Sequence, residues 1–295
     1  MYLSEILLQQ TQVETVRTRF YPKFLEQFPT LLDLAQADEE HVLKSWEGLG
    51  YYRRASYLHR AAGMLCKQGG RVPNDKKALM ALPGIGQNTA HAILSFAFHQ
   101  PYPVMEANVA RILRRFFAHL SVSDSMLWNH AWTLLDQTRP FVYNQAMMDI
   151  GAMICRVKEP QCSLCPLSKE CQGQDDPLRY NKSKNKKLLP VRRMYALVYQ
   201  DSSRVIWIGK RRSKFLQGFY GVPFVSMDQP LPDEAEYIGE VSCRYSHFMY
   251  QISCYLLPRH ALVHESDEVM EWKSLDEIEQ LPLSRIDRMI LALID

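Results

Sequence analysis

The stretch CRVKEPQCSLCPLSKEC, residues 155–171, gathers four of the chain's seven cysteines, spaced Cys155-x6-Cys162-x2-Cys165-x5-Cys171. The other three, Cys66, Cys243 and Cys254, stand alone. A loop this rich in thiols folds around whatever the thiols hold, so it constrains the chain more than any other feature. Thiolates suit zinc and iron–sulfur clusters alike. Structural zinc sites present two close pairs of ligands, whereas this run has one CxxC pair flanked by single cysteines and contains no histidine. The spacing favours a [4Fe–4S] cluster at Cys155, Cys162, Cys165 and Cys171, with zinc as the alternative.

A disulfide framework would need an oxidising compartment. No apolar run reaches membrane-spanning length, and Glu5 interrupts the N-terminus before a signal-peptide core could form. The expectation is therefore a reducing, cytoplasmic location, nucleoid-associated in a bacterium, with no membrane partner. The apolar fraction of 47% is that of a globular protein, and 295 residues suffice for two domains. Charge divides unevenly. Residues 1–187 carry 23 Lys+Arg against 17 Asp+Glu, a balance of +6, and the remainder carry 12 against 15, a balance of −3. A basic first part is compatible with nucleic-acid binding and equally with an ordinary solvated surface.

The first part reads helical. YLSEILLQQTQVETVRTRFYPKFLEQF keeps apolar residues three and four apart, and ADEEHVLKSW, DKKALMAL, QNTAHAILSFAF, ANVARILRRFFAHL, MLWNHAWTLLDQT and NQAMMDIGAMIC continue the pattern. After RYNKSKNKKLLPVRR, which has seven basic residues and no acidic one, the period changes. MYALVYQ, RVIWIGKR and FMYQISCYLLP read as strands, while SLDEIEQL and SRIDRMILALI read as closing helices. The expected fold class is α+β multi-domain: an all-α body at 1–178, a basic linker at 179–193 and an α+β domain at 194–295.

Three features carry chemistry. LPGIG, residues 82–86, lets Gly84 and Gly86 turn the backbone tightly ahead of a helix and aim N–H groups at a DNA phosphate; an ordinary helix–helix turn would look the same. Glu106, in PVMEANVARIL, stands ahead of another helix, where a carboxylate also serves as a plain N-terminal cap. Glu5 lies among leucines and amides in SEILLQQTQV. Packed there it would be desolvated, kept protonated and able to act as a general acid.

The order of these features resembles the helix-hairpin-helix DNA glycosylases of the endonuclease III superfamily, and more closely the adenine DNA glycosylases of the MutY family. The stretches LSEILLQQTQV, WEGLGYYRRA, LPGIGQNTAHAIL, YNQAMMDIGAMIC and the cysteine loop carry the resemblance. It implies a hydrolase of base excision repair, an adenine-specific N-glycosylase that removes adenine opposite 8-oxoguanine or guanine from duplex DNA and works as a monomer. Glu5 takes the place of the acid that protonates adenine at N7. Glu106 takes that of the carboxylate that stabilises the oxocarbenium-like sugar, as in retaining glycosidases; Asn108 keeps its place beside it. The family has Asp where this chain has Glu106, and an extra methylene moves the oxygens by about a bond length.

The resemblance further implies that Leu8, Gln9 and Gln145 line or approach the adenine pocket, and that Gln10 and Tyr51 wedge into the duplex beside the oxidised base. The second domain resembles the Nudix-like C-terminal domain of the same family. It has no Arg-Glu-x-x-Glu-Glu pattern to hold magnesium, so binding without hydrolysis is expected, with Tyr245, Ser246 and His247 reading 8-oxoguanine. Family members also carry an arginine-bearing segment upstream, so a missing upstream element is expected. Two alternatives remain. An endonuclease III-like pyrimidine glycosylase and lyase would need a lysine where this chain has Gln87-Asn88. A catalytically impaired mismatch-binding protein would follow from Glu106 and the short N-terminus.

Overall fold

The computed structural model describes residues 1–181, 188–213, 215–262 and 268–294. The basic stretch expected as a linker therefore falls partly outside the described residues, at 182–187.

The helical part opens with α1 (Tyr2–Leu7) and a one-turn α2 (Val13–Thr15), followed by α3 (Tyr21–Gln27), α4 (Leu31–Gln36), α5 (Glu39–Ser45) and α6 (Arg53–Lys67). Then come α7 (Lys76–Met80), α8 (Gln87–Phe98), α9 (Ala107–Phe116), α10 (Asp124–Leu134) and α11 (Pro140–Asp149). Side-chain caps set several starts. Thr30 and Asp33 form a reciprocal capping box on α4, Asp75 accepts from the Ala78 N–H on α7, and Ser123 accepts from the Met126 N–H on α10. The opening stretch, expected to be helical, is interrupted: the chain leaves helical geometry after Leu7, and Gln10 sits at φ 57. The helix period of the sequence survives the break because Ile6 and Leu7 before it and Val16, Phe20 and Phe24 after it are buried, although Val13 is exposed.

The β-rich part is a seven-stranded mixed sheet: β1 (Val191–Gln200), β2 (Ile206–Lys210), β3 (Tyr220–Gly221), β4 (Phe224–Ser226), β5 (Glu236–Arg244), β6 (Met249–Pro258) and β7 (Met270–Lys273). Its spine runs β3-β2-β1-β6-β5, with β4 paired to β1 and β7 to β2. β1 and β6 run parallel over ten residue pairs, from Val191 opposite Met249 to Gln200 opposite Pro258. The strand period anticipated β1, β2 and β6; β5 is mostly exposed and alternates only at its end, where Val241 and Cys243 are buried between Glu240, Ser242 and Arg244, too short a run to read. α12 (Leu275–Gln280) and α13 (Arg285–Leu291) close the chain and bury Ile278, Ile286 and Ile290.

By contacts the chain forms two compact units, Met1–Val13 with Arg60–Asn185, and Glu14–His59 with Lys186–Asp295. This cuts across the division at 178 and 194 expected from sequence, because α3–α5 group with the sheet. The reason is a set of ionic and aromatic contacts within the second unit. Glu40 accepts from Lys210 at 2.8 Å and from the Tyr220 hydroxyl at 3.0 Å, Lys44 donates to the Leu281 carbonyl at 2.9 Å, Glu47 pairs with Arg288, and the Tyr52 ring lies 4.3 Å from that of Phe219. In the first unit, α9, α10 and α11 share a core of Val109, Ile112, Leu113, Leu127, Ala131 and Met147, against which Cys155 and Leu167 also pack.

Candidate active site and cysteine cavity

Both candidate carboxylates lie in the first unit. Glu5 sits on α1 beside the buried Ile6 and Leu7. Burial raises its pKa to about 7, with the chain's amino terminus opposing and the charge of Glu106 adding to the rise. The two acids, distant in sequence, are thus brought within electrostatic reach of each other. Glu106 stands at the N-cap of α9 in extended geometry, and its side chain caps nothing. It faces Asn108 instead, whose Nδ2 donates to Glu106 Oε1 at 3.3 Å. Burial raises the Glu106 pKa, while Asn108 and the charge of Arg111 oppose the rise. The environments therefore differ in kind: Glu5 is mainly desolvated, and Glu106 is desolvated but supported by a donor and a cation.

α9 carries this support onward. Arg111, one turn after Asn108, donates to Asn108 Oδ1 at 2.9 Å, to the Gly151 carbonyl at 2.6 Å and to the Cys155 carbonyl at 2.7 Å. Gly151 belongs to a single π turn, Ile150–Ile154, that extends α11, and a Cβ there would come within 2.6 Å of Asn108 Cβ. Only glycine lets the two backbones approach this closely. Arg115, one turn further along α9 and 1% exposed, donates to Cys155 Sγ at 3.2 Å, to the carbonyls of Arg156 and Val157, and to Asn181 Oδ1. Neither arginine was singled out from sequence. Cations inside the apolar helix ANVARILRRFF, one helical turn apart, were the available signal.

All four cysteines of the run line one cavity, together with Arg115, Ile154, Pro160 and Pro177. None is in a disulfide. Among the described residues no three His, Cys, Asp or Glu side chains converge as ligands of a single metal ion. Burial pushes the Cys162 and Cys171 thiols up, and the neighbouring thiols push them further, so four thiolates would share this space only around a cationic group. Four sulfurs disposed around a cavity, with a guanidinium on one of them, fit a polynuclear iron–sulfur group.

The hairpin separates α7 from α8. Gly84 takes φ 78, which a side chain would disfavour, and open space surrounds the Cβ position of Gly86. Gln9, following α1, donates to Thr89 Oγ1 at 3.1 Å and to the Gly84 carbonyl at 3.5 Å, tying the end of the Glu5 segment to the hairpin. Leu8 closes α1 half-buried, and Gln10 is exposed in left-handed geometry. Gln145 is exposed on α11 and donates to Asp149 Oδ1 at 3.0 Å. The other expected contact residues belong to the second unit. Tyr51 is 49% exposed at φ 49, Tyr245 packs edge-on against Phe215, and Ser246 and His247 are exposed with Ser246 Oγ 3.1 Å from His247 Nδ1. No helix among the described residues is long and apolar enough to cross a membrane.

Residues 3–137 match the profile of the HhH-GPD superfamily of base excision DNA repair proteins. The chain is 34% identical over 220 residues to an adenine DNA glycosylase of Buchnera aphidicola, covering 72% of this chain and 62% of that one. It is 40% identical over 181 residues to the adenine DNA glycosylase of Homo sapiens, covering 59% and 33%. The chain thus spans less than two thirds of the length of these curated relatives. Its backbone is also similar to that of a thermostable thymine-DNA glycosylase, with a TM-score of 0.55 and 29% identity over 59% of this chain and 82% of that one. On the superfamily profile and these relatives, the chain belongs to the HhH-GPD superfamily and, within it, to the adenine DNA glycosylase family.

Proposed function

We propose that the protein is a monofunctional adenine DNA N-glycosylase that hydrolyses the bond between adenine and deoxyribose opposite 8-oxoguanine or guanine in duplex DNA. The observation that carries this reading is the pair Glu5 and Glu106, two desolvated carboxylates with unequal support, Glu5 lying in the field of the Glu106 charge. Such a pair divides acid and base roles. Glu5, with a pKa raised to about 7, keeps a proton for the purine ring nitrogen near neutral pH. Glu106, held by Asn108 and with the charge of Arg111 opposing the rise that burial causes, faces the positive charge that grows on the sugar as the base leaves. Water then completes the hydrolysis. The lyase reading is disfavoured because Asn88, a neutral amide, stands where the Schiff-base lysine would be needed.

Cys155, Cys162, Cys165 and Cys171 would hold a [4Fe–4S] cluster. Bound there, the cluster supplies a rigid centre for the loop that carries Arg156, Lys158 and Lys169 toward a phosphate backbone. The sheet domain, 194–295, is read as Nudix-like, with Tyr245, Ser246 and His247 recognising 8-oxoguanine; Ser246 and His247 are exposed and free to meet a base. A monomer acting in the cytoplasm, at the nucleoid in a bacterium, completes the proposal.

The test is a duplex with labelled adenine opposite 8-oxoguanine, incubated with protein and then treated with or without alkali. Strand scission only after alkali is expected. Scission without alkali on an oxidised pyrimidine would favour the glycosylase–lyase, and tight binding without base release would make the protein a mismatch binder.

A further inference from the structure

Glu106 is delivered by a loop, residues 99–106, that has no regular structure of its own. α8 stops where His99 turns left-handed at φ 54, and α9 starts after Glu106. Pro103 and Val104 are buried, with Val104 packed against Ala92 and Phe96, so the loop's polar groups cannot be left to water. Side chains from α8 and α11 take them up. Asn144, 1% exposed, donates through Nδ2 to the Tyr102 carbonyl at 2.9 Å and to Ser95 Oγ at 2.8 Å, and accepts from the Val104 N–H at 2.9 Å. His91, fully buried, lies with Nδ1 2.8 Å from the Pro103 carbonyl. A carbonyl only accepts, so that nitrogen carries the proton. Burial lowers the His91 pKa to about 4, which keeps the ring neutral, and the Pro103 carbonyl selects the tautomer with the proton on Nδ1. Last, Asn88 Oδ1 accepts from the Met105 N–H at 2.7 Å.

We infer that Asn88, together with Asn144 and His91, forms a polar clamp that positions Glu106, with Asn88 holding the residue immediately before it. The inference rests on reading Glu106 as the sugar-facing carboxylate. Its weight comes from the length of the side chain. A glutamate has one more rotatable bond than an aspartate, so the place of its oxygens depends more strongly on where the backbone is set. Asn144 and His91 anchor the loop two and three residues upstream of Glu106, and they serve the fold as well. Asn88 acts at the last peptide before the acid and lies in the first turn of α8, next to the hairpin and to Thr89, which receives Gln9 from the Glu5 segment. One short stretch of α8 thereby references both carboxylates.

The test compares wild type, Asn88→Ala and Asn88→Asp by amide exchange at Met105, duplex affinity, melting temperature and single-turnover adenine release. In Asn88→Ala the Met105 amide should lose protection, and release should slow by about 10- to 100-fold, the cost of roughly 1 Å of misplacement, with affinity and melting temperature unchanged. Asn88→Asp keeps an acceptor and should keep the Met105 amide protected. Wild-type release by Asn88→Ala would overturn the inference. So would unchanged protection in Asn88→Ala, loss of protection in Asn88→Asp, or a collapse of melting temperature and binding together, which would make Asn88 a folding residue. Absence of adenine release by the wild type would instead refute the proposed activity, while the Met105 exchange comparison would still decide the clamp.

Discussion

One buried arginine of the second unit and two of the first are used in opposite ways. In the second unit, Arg211 pairs with Asp287 at 2.6 Å, and Asp287 in turn accepts from the Ser284 hydroxyl, so charge is cancelled where it is buried. In the first, Arg111 and Arg115 give their N–H groups to carbonyls, amide oxygens and a thiol. Their charge is solvated but not cancelled. It stays available to Glu106 at one end of α9 and to the cysteine cavity at the other. A cancelled pair holds a fold together; an uncancelled cation prepares a place for negative charge.

Four outcomes break or sharpen this contrast. The largest effect is expected at Glu5. Glu5→Gln should abolish adenine release, a loss of ~10²–10⁴-fold, while leaving duplex binding intact; retained turnover would remove the proton-donor role. The sign of its pH effect follows from the raised folded-state pKa. A carboxylate that holds its proton more tightly when folded favours the native state fully below its unfolded pKa. That contribution is lost as pH rises through about 7. Glu5→Gln should therefore melt above wild type on the alkaline side and beside it in acid, and parallel melting curves at every pH would contradict the desolvation.

Asp287→Ala comes next. It leaves Arg211 uncompensated and should cost about 3–5 kcal/mol in the second unit, seen in denaturant unfolding. If Arg211 instead tolerates the loss as Arg111 tolerates its carbonyl partners, the contrast fails. Arg115→Met should be milder for stability but specific in effect. Iron content per chain and absorbance in the visible region should fall, because the guanidinium that fastens Cys155 to Arg156, Val157 and Asn181 is gone; colourless, zinc-rich wild type would overturn the cluster itself. The smallest effect is expected at Ser246→Ala, which should narrow the preference for 8-oxoguanine over guanine without changing adenine release opposite guanine. An unchanged ratio would remove Ser246 from recognition.

Much of this was legible in the chain. Helix and strand periods gave α5, α7–α13 and β1, β2 and β6, since apolar spacing reports directly which face is buried. The cysteine spacing singled out four thiols that line one cavity, and the glutamates stood out by their apolar neighbours. Missed were α4, α6, β3, β4, β5 and β7, the break after Leu7, and the polar side chains His91, Arg111, Arg115 and Asn144, of which only the arginines, as cations inside an apolar helix, carried a sequence signal. For three of them the significance lies in partners forty or more residues away, Val104 for Asn144 and Cys155 for Arg111 and Arg115, and for His91 in Pro103 on the loop beyond its own helix.

By itself the sequence determined the local vocabulary: where helices start, where glycine permits a turn, which residues can carry protons or bind a cluster. Those properties depend on a residue and its near neighbours. The tertiary structure decided everything that depends on desolvation and on long-range partners. It brought Glu5 into the field of Glu106, set the loop before Glu106 against α8 and α11, and grouped α3–α5 with the sheet. Burial and hydrogen-bond satisfaction are properties of a place in three dimensions, and only the folded chain specifies it.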